Sequence, residues 1–198
     1  MSPADVIIHP SASVYPGAEL GPGVYVGPGC VIGPLVSIGA NTRLEANIQI
    51  AGRTRIGEDC VFSPFTAIGG EPQDTSYKGE DTGVVIGDRN VFREFITVHR
   101  GTSKGGATTT IGSDNYFMAY SHIAHDCRVG QETVFTNAAT LGGHVVVDDF
   151  ASIGAFSGVH QFCRVGNNSM RVLTATCWRS RSGRAPFQCP SSSCWCCG

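Results

Sequence analysis

The 198-residue sequence has no apolar run approaching the ~20 residues of a membrane-spanning helix. Its first residues, MSPADVII, lack the basic region and long apolar core of a secretory signal. Both absences lead us to expect a cytoplasmic chain, in which thiols stay reduced. A basic face is missing too. The net charge is −2, and residues 171–198 hold four Arg and no acid, so residues 1–170 carry −6. That balance argues against a nucleic-acid footprint, which needs clustered Lys and Arg. What is present is 41% hydrophobic residues and 26 Gly, which suits a packed, turn-rich fold and excludes disorder.

An internal repeat accounts for most of the chain. Every sixth residue from Ile8 is apolar: Val14, Leu20, Val26, Ile32, Ile38, Leu44, Ile50, Ile56, Phe62 and Ile68. The register resumes at Ile86, Phe92 and Val98, and again from Ile111 to Val165. Two residues before each of these stands a second column, usually small or β-branched, such as Ala12, Val24, Cys30, Thr42, Cys60 and Thr66. Positions two apart in a strand face one side, so both columns point into one narrow core. Four of the nine Cys lie on the second column, Cys30, Cys60, Cys127 and Cys163, and read as small buried hydrophobes.

A period of six, strand plus turn, predicts an all-β fold: a parallel β-helix of hexapeptide repeats, three to a triangular coil of 18 residues. Segments 70–85 and 99–110 break the register. They are polar and Gly-rich, and read as loops projecting from the coil, as binding segments of solenoids do.

The 18-residue coil turns spacing into position. His125, Gly143 and Gln161 fall 18 apart and stack in one column. His144 adjoins Gly143, His160 adjoins Gln161, and His122 shares a coil with His125. Four of six histidines thereby converge on one patch. Asp126 can orient the His125 ring through Nδ1, leaving Nε2 free to accept a proton.

The strings IAHDC (123–127), ATLGGHV (139–145), VHQFCRVG (159–166), IGDRN (86–90) and HRGT (99–102) resemble the acyl-[acyl-carrier-protein]:UDP-N-acetylglucosamine O-acyltransferase family. The resemblance runs over about residues 4–170 and supplies the left hand of the helix; the general crossover rule favours the right. It implies transfer of a 3-hydroxyacyl chain from acyl carrier protein to the glucosamine 3-hydroxyl of UDP-N-acetylglucosamine, the first committed step of lipid A synthesis. In that reading His125 is the general base, Asp126 its partner and the Gly143 N–H the oxyanion donor. His122, His144 and Gln161 contact substrate, Asp74 with its neighbour Gln73 binds the sugar from the first loop, and His160 contacts nucleotide or acyl chain. The resemblance implies a homotrimer, with no metal, cofactor or covalent enzyme intermediate. An acidic carrier protein would need a local basic strip, for which Lys78, Arg93, Arg100, Lys104, Arg128 and Arg164 are candidates.

The sequence departs from that pattern twice. Ser76 stands where the family often carries Lys, with Lys78 two further on. At 171 the repeat calls for an apolar residue and Arg171 stands there. The segment 171–198, with five of the nine Cys, carries neither repeat nor family motif, and the further coils and C-terminal helical domain of the family are missing. We read it as an aberrant, out-of-frame or truncated C-terminus rather than a metal-binding tail, since CWCC lacks paired zinc-ligand spacing. Two other functions follow from the same sequence: a catalytically impaired homologue, and a zinc-dependent hydratase of the γ-carbonic anhydrase type, in which histidines would hold the metal.

Overall fold

The computed structural model describes residues 5–171. It is a left-handed parallel β-helix of twenty-five short strands in three sheets of nine, eight and eight strands. Every third strand joins the same sheet, and each strand but the two at the ends of a sheet pairs in parallel with the strand one coil before and one coil after. Val14, Ile32 and Ile50 lie side by side at offsets of 18, as the period requires. No helix among the described residues is long and apolar enough to cross a membrane.

The repeat column forms the core. Phe62, Phe92 and Phe117 stack face to face up the axis, with centroids 4.6 and 4.7 Å apart, and Phe135 follows at 4.8 Å with its ring tilted by 37°. That spacing is the distance between paired strands, so the coil rise itself sets the stacking. The second column is buried through the middle coils and half-buried at Ala12, Ala18 and Cys163, and several of its polar members bond to the coil's carbonyls. Asn90 Nδ2 donates to Gly87 O and Gly112 O, and Thr42 Oγ1 donates to Gly57 O. Cys30, Cys60 and Cys127 are buried free thiols; burial pushes Cys60 up to about 11 and Cys127 up to about 12, so neither forms a reactive thiolate at neutral pH.

The corners have one recurring strain. The third residue after most core positions takes a left-handed backbone, as in Asn41, Phe65, Asp126, His144 and Phe162, with φ between 53° and 65° for the non-glycine residues. For a residue with a Cβ this costs roughly 1–2 kcal/mol. The triangular coil repeats it at most corners, so here it marks architecture rather than a site.

The two interrupted segments are shorter as loops than the sequence suggests. Gly70 closes the strand Ala67–Gly70, Gly83–Ile86 is a strand, His99 closes Thr97–His99, and Thr108–Ile111 is a strand. Val84 and Ile86 point inward while Val85 points out, and Thr109 and Ile111 do the same around Thr110. Those strand ends carry two-residue alternation, which a count of sixes passes over. The projecting loops are therefore 71–82 and 100–107. The coil continues through the strand Met170–Arg171, which pairs with Ser152–Ile153. The reading of the tail beyond it concerns residues 172–198, outside the described residues.

Candidate active site

The strand His122–Ile123 lies between Thr97–His99 and Thr140–Leu141. Ile123 points into the core, so the chain must turn at the next three residues. Ala124 N–H donates to Leu141 O and Asp126 N–H to Thr109 Oγ1, and His125 stands at the tip between them. The corner one coil on repeats this: Gly142 N–H donates to Val159 O and His144 N–H to His125 O. The Gly143 N–H between them makes no hydrogen bond among the described residues.

His125 and Asp126 are 6% and 5% exposed. His125 Nδ1 lies 2.8 Å from Asp126 Oδ2. An ionised carboxylate only accepts, so Nδ1 carries the proton and Nε2 the lone pair. The second loop grips the carboxylate: Thr102 N–H donates to Oδ1 at 2.9 Å and Thr102 Oγ1 to Oδ2 at 2.7 Å. Gly105 closes over it, where any Cβ would fall on the Asp126 carboxyl group. The His125 ring rests against Gly143, where a Cβ would stand 2.6 Å from Nε2. His144 meets His125 edge to face at 5.1 Å, with its Nε2 3.8 Å from Asp126 Oδ2, and stacks at 4.5 Å on exposed Phe162.

A second pair of imidazoles flanks the first. His122 Nδ1 is 2.7 Å from Thr97 Oγ1, and His99 packs edge-on at 4.9 Å. Burial, then the charged forms of His99 and His125, push His122 down to about 4; burial and His125 lower His99 as well. His122 is therefore neutral at neutral pH. His99 Nδ1 is buried without a hydrogen-bond partner. The first loop adds Asp74, whose Oδ1 accepts from Ser76 N–H at 2.9 Å and Ser76 Oγ at 2.8 Å. These bonds hold its carboxyl below the usual range, and the Lys104 ammonium and the His125 imidazolium lower it further.

Comparison with known proteins fits this geometry. A family model described as bacterial transferase hexapeptide (six repeats) matches residues 4–34. An acyl-[acyl-carrier-protein]–UDP-N-acetylglucosamine O-acyltransferase of Stenotrophomonas maltophilia is 56% identical over 119 residues, 60% of this chain and 45% of that protein. Its counterpart in Thermodesulfovibrio yellowstonii is 53% identical over 105 residues, 53% of this chain and 41% of that protein. The solved structure of LpxA from Acinetobacter baumannii superposes with a TM-score of 0.82 at 43% identity, over 83% of this chain and 64% of that one. An Arabidopsis UDP-N-acetylglucosamine acyltransferase superposes with a TM-score of 0.70 at 34% identity, over 83% and 65%. The chain is a homologue of these acyltransferases. It spans less than half the length of the curated relatives it matches.

In this homologue the fold brings His122, His125, Asp126, Gly143 and His144 together, and electrostatic coupling ties Asp74 to His125. Gln161 sits one coil above, its side chain over Gly142. His160 is exposed, with Nδ1 3.2 Å from Gln161 O, and Gln73 is exposed on the first loop. Three site residues were not singled out from the sequence, Thr97, His99 and Thr102, and Lys104 was read only as part of a basic strip. His99 and Thr102 both stand inside the HRGT string, which was the usable signal for them. The expected basic strip is partly spent. Arg93, Arg100 and Arg164 pair with Glu94, Glu71 and Asp148. The Ser76 position is occupied from elsewhere, since Lys104 Nζ reaches its Oγ at 2.6 Å.

The donor atoms of His125, Asp126 and His144 lie within 4.8 Å of one another, the one cluster of metal-ligand type among the described residues. Its chemistry fits a proton better than a cation. Asp126 Oδ2 already accepts from His125 Nδ1–H and Thr102 Oγ1–H, and a metal would have to displace both.

Proposed function

We propose that the chain transfers a 3-hydroxyacyl group from acyl carrier protein to the glucosamine 3-hydroxyl of UDP-N-acetylglucosamine. Homology and one geometric observation support this together: a buried His–Asp pair whose free Nε2 faces a glycine corner with an uncommitted N–H.

The 3-hydroxyl has a pKa far above 7 and needs a base as it attacks. His125 Nε2 takes its proton while the oxygen bonds to the thioester carbonyl carbon. The resulting imidazolium is stabilised by Asp126 through Nδ1–H. A base so placed contributes ~10²–10⁴ in rate. The carbonyl oxygen gathers negative charge and accepts from Gly143 N–H, a donor worth ~10²–10³. The C–S bond then breaks, and the proton on Nε2 passes to the leaving thiolate of the carrier. Neutral His122 and the free oxygen of Asp74 hydrogen-bond the acceptor sugar; Gln73, His144, His160 and Gln161 line its approach. No metal and no acyl-enzyme takes part.

The enzyme works in the cytoplasm as a homotrimer. The exposed ladder of Phe65, Phe95 and Tyr120, stacked at 5.0 and 4.9 Å, supplies an apolar edge for a subunit contact. Incubating the chain with 3-hydroxyacyl carrier protein and UDP-N-acetylglucosamine, then weighing the nucleotide product by mass spectrometry, tests the reaction. A product heavier by one hydroxyacyl group is expected. A folded chain that leaves the nucleotide unchanged contradicts the proposal.

A further inference from the structure

We propose that Lys104 is a positioning residue: from the second loop it reaches Ser76 on the first, and through that hydroxyl it fixes Asp74 at the histidine patch. This rests on the acyl-transfer reading for its substrate, though the contact itself does not.

The two loops leave neighbouring coils and lie side by side. Their bases are bolted independently of Lys104. Arg100 Nη1 donates to Gly69 O at 3.0 Å, its Nε to Tyr77 Oη at 3.0 Å, and its Nη2 to Glu71 Oε1 at 3.2 Å. The tips have a separate connection. Lys104 Nζ donates to Ser76 Oγ at 2.6 Å, and Ser76 Oγ donates to Asp74 Oδ1 at 2.8 Å.

Direction matters in this chain of bonds. An ammonium has only protons to give, so Ser76 Oγ accepts from it and must turn its own proton elsewhere. Asp74 Oδ1 receives that proton and also the Ser76 N–H. With Oδ1 accepting two hydrogen bonds, Oδ2 has no protein donor among the described residues and is left to a ligand. A charged donor strengthens the next bond in such a series. The second loop also carries Thr102, which grips Asp126. One short loop thus sets both carboxylates of the site, Asp126 directly and Asp74 through Lys104.

The contact of Asp74 with an acceptor hydroxyl persists from bound sugar to transition state. Loosening it should raise KM and spare kcat. Steady-state kinetics on Lys104→Met, Lys104→Arg, Ser76→Ala and the Lys104→Met/Ser76→Ala double variant test this. We expect KM for UDP-N-acetylglucosamine to rise about tenfold in Lys104→Met, with kcat within about twofold. Lys104→Arg should recover most of the loss. The double variant should be no worse than the worse single one, because both act through one chain of bonds. An unchanged KM in Lys104→Met, or effects that multiply in the double variant, would overturn the proposal. If the wild-type chain transfers no acyl group, the functional reading fails and the latch is judged by amide exchange instead. Faster exchange across residues 73–77 in Lys104→Met, with the strand Arg53–Ile56 unchanged, supports it; unchanged exchange at 73–77 overturns it.

Discussion

The imidazole of His125 lies against the α-carbon of Gly143, one coil away, in the space a side chain would take: a Cβ there would stand 2.6 Å from Nε2 and 3.0 Å from Nδ1. The atoms a Cβ would meet most closely all belong to the ring, and none is backbone. Gly143→Ala should therefore spare the fold and spoil the site. We predict a kcat at least ~10²-fold lower, from a displaced base and a crowded oxyanion donor, with Tm changed by only a few degrees. Steady-state kinetics and thermal unfolding of one preparation check both parts.

Asp126 is held by three donors, two of them from Thr102. Thr102→Val keeps the shape and the backbone donor and removes the hydroxyl. A buried carboxylate short of one bond costs roughly 1–3 kcal/mol. The urea midpoint should fall accordingly, kcat should fall with it, and Thr102→Ser should restore both. A Thr102→Val enzyme with wild-type kcat would show that Asp126 needs no help from the loop.

Histidine burial makes stability pH-dependent in a definite direction. His122 drops from an ordinary 6.5 to about 4 on folding. Between these values the unfolded chain binds more protons than the folded one, so stability is complete above about pH 6.5 and is lost as pH falls toward 4. Allowing for solvent around the half-buried ring, the loss is roughly 1–2 kcal/mol. Urea titrations at pH 7 and pH 5 should show it, and His122→Gln should shrink the difference, with buried His99 contributing in the same direction.

The phenylalanine stack carries the coil mechanically. Phe117 is fully buried between Phe92 and Phe135. Phe117→Ala should cost about 3–5 kcal/mol, far more than any loop variant above. Denaturant unfolding of the chain reads this directly; a loss under 1 kcal/mol would mean that neighbouring coils collapse to fill the space.

The coil was legible because one residue in six must be apolar, and a single column from Ile8 to Val165 states that rule. The stacking of His125 on Gly143 followed from the same arithmetic. The loops were not legible this way. Thr102 and Lys104 lie where the register is suspended, so nothing in their spacing says that one grips Asp126 and the other Ser76. His99 was passed over because it follows core residue Val98 by one place, on the strand face rather than the corner that holds His125. The loop boundaries slipped where Val84–Ile86 and Thr109–Ile111 alternate by twos.

The most direct test of the account is the acyl-transfer rate of the chain against that of His125→Ala, with 3-hydroxyacyl carrier protein and UDP-N-acetylglucosamine both saturating and the folded state of each verified by circular dichroism. If His125 is the base, the variant keeps its strands and loses at least ~10²-fold in kcat. Equal rates from two folded proteins would contradict that role and the mechanism built on it.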